Sequence, residues 1–115
     1  MSTLGTRMNA GRQFSDVLED VAVDSTIADS DEIDARGYSR GSVEVPTGST
    51  LTLLTFYGAH AEGGTHLPVL DSSHAAVTLV VAATEVCVLP AEIESLSFFS
   101  MKGNADGVVD LYMQG

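Results

Sequence analysis

Three histidines and two carboxylates lie within fifteen residues of the chain, and they are the side chains most suited to metal chemistry: His60, Glu62, His66, Asp71 and His74. Imidazole and carboxylate groups are ligands for zinc and for non-haem iron. No two of these histidines are separated by a single residue, and Gly63-Gly64 places a turn between His60 and His66. Because this spacing matches no metal-binding motif, we expect solvent-exposed loop histidines, no bound metal and no cofactor.

A nucleophile with a placed base is the second kind of chemistry that the residues could provide. The single cysteine, Cys87, lies in the apolar run Glu85–Leu89, with no basic residue nearby. Such a thiol behaves as a small apolar side chain, so we predict that Cys87 is buried and free. The chain has no Gly-x-Ser-x-Gly motif, and no lysine follows Gly63-Gly64 as it does in a phosphate-binding loop. We therefore expect no catalytic residues and no enzymatic activity.

The chain is strongly acidic, with a net charge of −11 from 16 acidic and 5 basic residues. Nucleic acids and anionic membranes repel such a surface, so we expect neither as a partner. The longest apolar stretch, Ala75–Ala83, is too short for a membrane-spanning helix. The first thirteen residues lack the apolar segment of a secretory signal. These features predict a soluble protein that is made in a cytoplasm.

Turn residues divide most of the chain into short apolar or alternating segments, which is typical of an antiparallel β-sandwich or jelly roll. Seven to eight short strands are predicted, from these segments: Thr26–Asp34, Arg40–Val45, Thr50–Tyr57, His66–Leu70, Ala75–Val81, Glu85–Leu89, Ser97–Met101 and Val108–Met113. The fifth and sixth are expected to pair with each other. Ala91–Leu96 is expected to form one helical turn. This all-β domain is predicted to span residues 25–115.

Residues 1–24 are predicted to form a separate N-terminal arm or short amphipathic helix. Phe14, Val17, Leu18 and Val21 recur at helical spacing, although an extended arm fits the segment as well. The apolar stripe either packs on its own sandwich or contacts a partner. Arg7 and Arg12 would pair with acidic groups on that partner. The predicted partner-binding residues are therefore Arg7, Arg12, Phe14, Val17, Leu18 and Val21.

The order of the elements carries a further signal. A strand closes on a proline in 41–46, an apolar strand containing Thr-Phe follows in 51–56, and a Gly-Gly turn leads through Leu-Pro-Val to an Asp turn in 63–71. An apolar strand then ends on Leu-Pro in 86–90, and 98–103 runs into a polar glycine turn. From about Ser30 to Met113 this layout resembles a family of small virion proteins of tailed bacteriophages. Thr47 and Gly48 depart from it, since the family often has an aromatic residue there.

The resemblance implies a virion structural protein, most simply a capsid decoration or cement protein that binds the major capsid protein or another virion protein. It also implies a homo-oligomer, a dimer or trimer, located in the virion after synthesis in the host cytoplasm. A tail or baseplate component is the alternative within structural proteins. A β-sandwich that binds a small ligand or carbohydrate is the alternative from another class, although only Tyr38, Tyr57 and Tyr112 and no tryptophan are available to stack on sugars. A metal-dependent enzyme on a jelly roll is the most distant alternative.

Overall fold

The computed structural model describes residues 15–115, which form an all-β fold. The nine strands of this part of the chain are β1 (Ser15–Val23), β2 (Ile33–Asp34), β3 (Arg40–Val45), β4 (Leu53–Ala59), β5 (Leu67–Pro68), β6 (Thr78–Val80), β7 (Glu85–Val88), β8 (Phe98–Gly103) and β9 (Gly107–Gln114). Two short 3₁₀ helices, Ile27–Asp29 and Ala91–Ser95, lie between strands. The second of them is the helical turn predicted for Ala91–Leu96.

The strands form two antiparallel sheets. The four-stranded sheet has the order β1-β9-β3-β7. The five-stranded sheet has the order β2-β8-β4, and β5 and β6 both pair with the remaining edge of β4, at opposite ends of it. Side chains from both sheets meet in one hydrophobic core. The prediction of an antiparallel β-sandwich is therefore confirmed.

Alternation along the central strand β9 supplies part of the core. In β9, the side chains of Val109, Leu111 and Met113 are buried, whereas those between them face outward. From the opposite sheet, Phe56 and Phe99 meet at a ring-centroid distance of 6.2 Å. Fully burying a side chain of this kind is worth about 1.5–3 kcal/mol. This core fixes the two outer faces and the sheet edges on which any partner must bind.

The predicted helix over Phe14–Val21 is wrong for the part of it that the structure describes, because Ser15–Val23 is the edge strand β1. Val21 pairs with Val109 and Leu18 pairs with Leu111, so two residues of β1 oppose one residue of β9. This is a β-bulge, and Asp20 adopts a left-handed conformation there, with φ 55°. The extra residue puts Leu18 and Val21 on one face at a spacing of three, which imitates a helical period.

The bulged strand also moves the boundary of the domain. Val21 and Val23 belong to the core, and the backbone N–H of Gly103 in β8 donates to Asp24 O at 2.9 Å. Residues 15–24 are thus part of the sandwich and not of a separate arm. Arg7, Arg12 and Phe14 lie outside the described residues.

Three smaller predictions also need correction. Thr26–Asp34 is a 3₁₀ helix followed by a two-residue strand, not one irregular strand. β6 and β7 do not pair with each other: β6 pairs with β4 in one sheet, and β7 pairs with β3 in the other. Between them the chain crosses the sandwich through Thr84, which has φ 66° and whose N–H donates to Val45 O at 2.8 Å. Cys87 is free and faces the core, but it is only half-buried because β7 is an edge strand.

Candidate interaction surfaces

The predicted partner-binding stripe is divided by the sandwich. Val21 is in the core and Leu18 is half-buried against it, so these two side chains are used within the fold. Among the residues of the stripe that the structure describes, Val17 alone keeps an exposed apolar side chain, at 47% exposure. Leu18 and Val21 therefore pack on their own domain, which was one of the two interpretations of the pattern. Val17 is therefore the described residue of the stripe that is left to contact a partner, together with the apolar side chains around it.

The outer face of the four-stranded sheet carries a row of side chains that crosses all four strands. Val17 lies opposite Tyr112, Tyr112 opposite Ser42, and Ser42 opposite Val88. We call the exposed apolar residues of this outer face the valine face: Val17, Val86, Val88, Val108 and Tyr112. Val86 and Val88 in β7 are 62% and 75% exposed. Exposed apolar residues that cluster on one rigid sheet are a typical feature of a protein–protein contact surface.

Tyr112 is held in place across the valine face by a hydrogen bond. Its phenol donates to Glu44 Oε1 at 2.5 Å. This hydrogen bond, together with partial burial, raises the pKa of Tyr112 above its ordinary value. The phenol therefore stays protonated through the neutral range and keeps the ring fixed. A fixed aromatic ring beside exposed valines loses little conformational entropy when a partner covers it.

A second concave surface lies between the bulged half of β1 and residues 31–38. It is a groove of about 700 Å³, and we call it the edge groove. Leu18, Val21 and Ile33 contribute its apolar part. Carboxylates surround these residues: Asp16, Glu19, Asp31, Glu32 and Asp34. Acidic and apolar groups thus line the same depression.

Several of the groove's polar groups are already engaged. Two guanidinium nitrogens of Arg36 donate to the carboxylate of Asp34, Nε to Oδ1 at 3.0 Å and Nη2 to Oδ2 at 2.8 Å. These hydrogen bonds lower the pKa of Asp34 from 3.8 to about 2. The same guanidinium stacks over the Phe98 ring, 4.8 Å from its centroid. The phenol of Tyr38 donates to Asp16 Oδ2 at 3.1 Å. Glu19 is exposed and lines the groove.

The edge of β1 beside the groove is open among the strands of residues 15–115. β1 pairs with β9 on one side and with no described strand on the other. At Ala22 this edge is occupied, since Ala22 N donates to Asp31 Oδ2 at 2.8 Å and Asp31 N donates to Ala22 O at 3.0 Å. Further along β1, Val17 N donates to Asp16 Oδ1 at 2.9 Å. An unpaired strand edge is a template for adding a further extended segment.

The residues considered for metal binding are not brought together. Within residues 15–115, no group of three or more His, Cys, Asp or Glu side chains is placed to hold a metal ion. His60 and His74 are exposed. Asp71 instead accepts from the backbone N–H groups of Ser73 and Ala75, at 2.8 and 3.0 Å, and so closes a turn.

His66 has a different partner, which sequence reasoning missed. Its inaccessible Nε2 lies 3.1 Å from Glu32 Oε2, an ion-pair distance without hydrogen-bond geometry. Both oxygens of Glu32 also accept from the backbone N–H of Gly63, at 3.1 and 3.2 Å. Glu32 thus ties the Gly-Gly turn to the segment that lines the edge groove. No local periodicity links residues so far apart in the chain.

The fold places the chain among antiparallel β-sandwiches, and one solved structure shares this architecture over nearly its whole length. The fold is similar to the crystal structure of SPBc2 prophage-derived protein YomS, with a TM-score of 0.54 and 13% sequence identity. The similarity covers 90% of this chain and 95% of that chain. At this identity the likeness concerns the fold. No protein-family model and no curated protein matches the sequence. No helix among residues 15–115 is long and apolar enough to cross a membrane.

Proposed function

We propose that this chain is a structural protein of a phage virion, and that it decorates the capsid by binding the major capsid protein. The observation that carries the proposal is the end-to-end similarity of its fold to that of a prophage-derived protein. The similarity extends over almost the entire length of both chains, so it concerns a whole domain and not a common substructure. The layout of strands and turns between Ser30 and Met113 supports the same phage context.

The valine face is the proposed attachment surface. Protein–protein interfaces mix apolar with polar area, and the valine face has such a mixed composition. Val86 and Val88 are exposed at the edge strand, while Glu44 and Asp110 lie between the apolar rows of the central strands. The sheet behind it is packed on the core, so little reorganisation accompanies binding.

A binding role without catalysis is part of the proposal. The carboxylates of the described residues that make the closest contacts are engaged in structure: Asp34 pairs with Arg36, Asp71 closes a turn, and Glu32 anchors Gly63. Acid–base catalysis needs a carboxylate that is free to exchange a proton with substrate. These contacts support a protein that acts by surface complementarity.

The proposed attachment is tested by charge introduction on matched valines. Val88→Glu places a carboxylate in the valine face, whereas Val80→Glu changes an equally exposed valine, at 76%, on the five-stranded sheet. Both are surface substitutions in short strands, so both variants are expected to stay folded. Binding to undecorated capsids is measured by co-sedimentation across a range of protein concentrations.

We expect Val88→Glu to weaken binding by about tenfold or more, because a buried carboxylate without a partner is costly. Val80→Glu is expected to bind as the wild type does. Equal binding by both variants would exclude the valine face. Saturable binding to phage tails and not to capsids would indicate a tail component instead of a capsid decoration protein.

A further inference from the structure

We propose that the edge groove binds residues 1–14 of a second copy of this chain, which makes the protein a self-associating unit joined by exchanged N-terminal segments. The inference goes beyond capsid attachment, since the edge groove shares only Val17 with the valine face. It rests on three features: the open edge of β1, the charge of the groove, and the charge of the segment that precedes β1.

Residues 1–14 and the rest of the chain carry opposite net charges. Residues 1–14 contain Arg7 and Arg12 and no acidic residue. All 16 acidic residues, and three of the five basic ones, lie in the remainder. Five carboxylates surround the edge groove, and the one arginine there, Arg36, is already bound to Asp34. The segment is therefore the complementary part of this chain for that groove.

The groove also suits an extended peptide in shape. The unpaired edge of β1 offers backbone hydrogen bonds to an added strand. Leu18 and its apolar neighbours line the groove, where they can receive apolar side chains such as Leu4 or Met8. The free energy of such an added strand comes from the backbone pairing and the apolar contacts, and the arginines supply orientation and salt dependence.

The direction of β1 favours a second copy over the same chain. β1 begins at Ser15, which lies opposite Gln114 and next to Asp16 at one end of the groove. If residues 1–14 filled the groove of their own chain, the chain would have to reverse its direction within a few residues of Ser15. Arg12 would then lie in that turn. A segment from a neighbouring copy needs no reversal. Fourteen extended residues span about 46–50 Å, which exceeds the longest dimension of the domain, 41 Å.

Charge repulsion between the two acidic grooves favours the exchange of N-terminal segments in such an assembly. Two copies that approach through their β1 edges bring two acidic grooves together, and like charges repel. Insertion of each basic segment into the facing groove removes this repulsion. Each copy then gives and receives the same contact, as closed two-fold association requires.

A charge-swap experiment tests the exchange directly. The first variant, Arg7→Glu/Arg12→Glu, has an acidic segment and an unchanged groove. The second variant, Glu19→Lys, has an unchanged segment and an altered groove; Glu19 is an exposed residue of the groove. The matched control is Glu85→Lys in β7, which makes the same charge change at the opposite edge of the same sheet. Molar mass is measured by analytical ultracentrifugation, and the thermal midpoint of each variant verifies its folding.

We expect the wild type and Glu85→Lys to self-associate alike, and each swap variant alone to associate about tenfold or more weakly. An equimolar mixture of the two swap variants is expected to form a mixed oligomer, because the Glu19→Lys chain supplies its arginines to the intact groove of the other chain. A wild type that stays monomeric would overturn the proposal. So would unchanged association after deletion of residues 1–14, or a mixture that behaves as the sum of its parts.

Discussion

Val21 in β1 lies directly opposite Val109 in β9, and both side chains are buried in the core. This pairing makes the first strand an integral part of the sandwich. Deletion of residues 1–14 is therefore expected to leave a cooperative thermal unfolding transition. Deletion of residues 1–22 removes most of β1, including Val21, and is expected to abolish that transition. Far-UV circular dichroism during heating measures both. A cooperative transition in the shorter chain, at the wild-type temperature, would show that β1 is dispensable.

Gly103 lies where the end of β1 is joined to β8, and it leaves no room for a side chain. An added Cβ would lie 2.6 Å from Ala105 O, 2.6 Å from Leu51 Cδ2 and 2.9 Å from Val23 Cγ1. Gly103→Ala is thus expected to lower the free energy of unfolding by about 1–3 kcal/mol. Gly107→Ala is the matched comparison, since its closest contact is a flexible leucine methyl at 3.1 Å. Denaturant titration that ranks the two variants in the opposite order would contradict this account.

The Asp34–Arg36 pair predicts a defined acid dependence. The pKa of Asp34 is lowered to about 2 in the folded chain, from a reference value of 3.8. A lowered pKa means that the folded state favours the carboxylate, so its stabilising contribution is present above the reference pKa and is lost as pH falls towards 2. The stability difference between wild type and Asp34→Asn is therefore expected to be constant near neutral pH and to shrink below pH about 4. A difference that grows on acidification would refute the assignment.

Glu32 is expected to stabilise the turn at Gly63 through its three contacts. Glu32→Ala leaves the Gly63 N–H without its acceptor and His66 without its carboxylate, for a cost of about 1–3 kcal/mol. A double-mutant cycle with His66→Ala isolates the ion-pair part of this cost. Equal costs for Glu32→Ala with and without His66 would show that the backbone contact carries the whole effect.

Local sequence patterns were enough to predict many strands of this fold, but not which strands pair with each other. Arg40–Val45 was predicted with the bounds that β3 has, because Val43 and Val45 alternate with polar residues and a proline turn follows. The bulge at Asp20 concealed β1, since one inserted residue turns a strand alternation into a helical spacing. β6 and β7 belong to different sheets because of long-range strand pairing. The local alternation of apolar and polar residues does not reveal such pairing. The valine face and the edge groove combine residues from distant segments, which no local pattern links. Of the predicted contact residues within residues 15–115, only Val17 is exposed.

The most direct measurement for the central claim, that the chain is a virion component, is the amount of this protein in purified particles of a phage that carries its gene. Particles are banded by density, washed, and analysed by quantitative mass spectrometry against the major capsid protein. A decoration protein occupies equivalent lattice positions, so we predict a fixed ratio to the major capsid protein, constant from one preparation to the next and reduced by Val88→Glu but not by Val80→Glu. Absence of the protein from infectious particles, when it is abundant in the infected cell, would contradict a structural role in the virion.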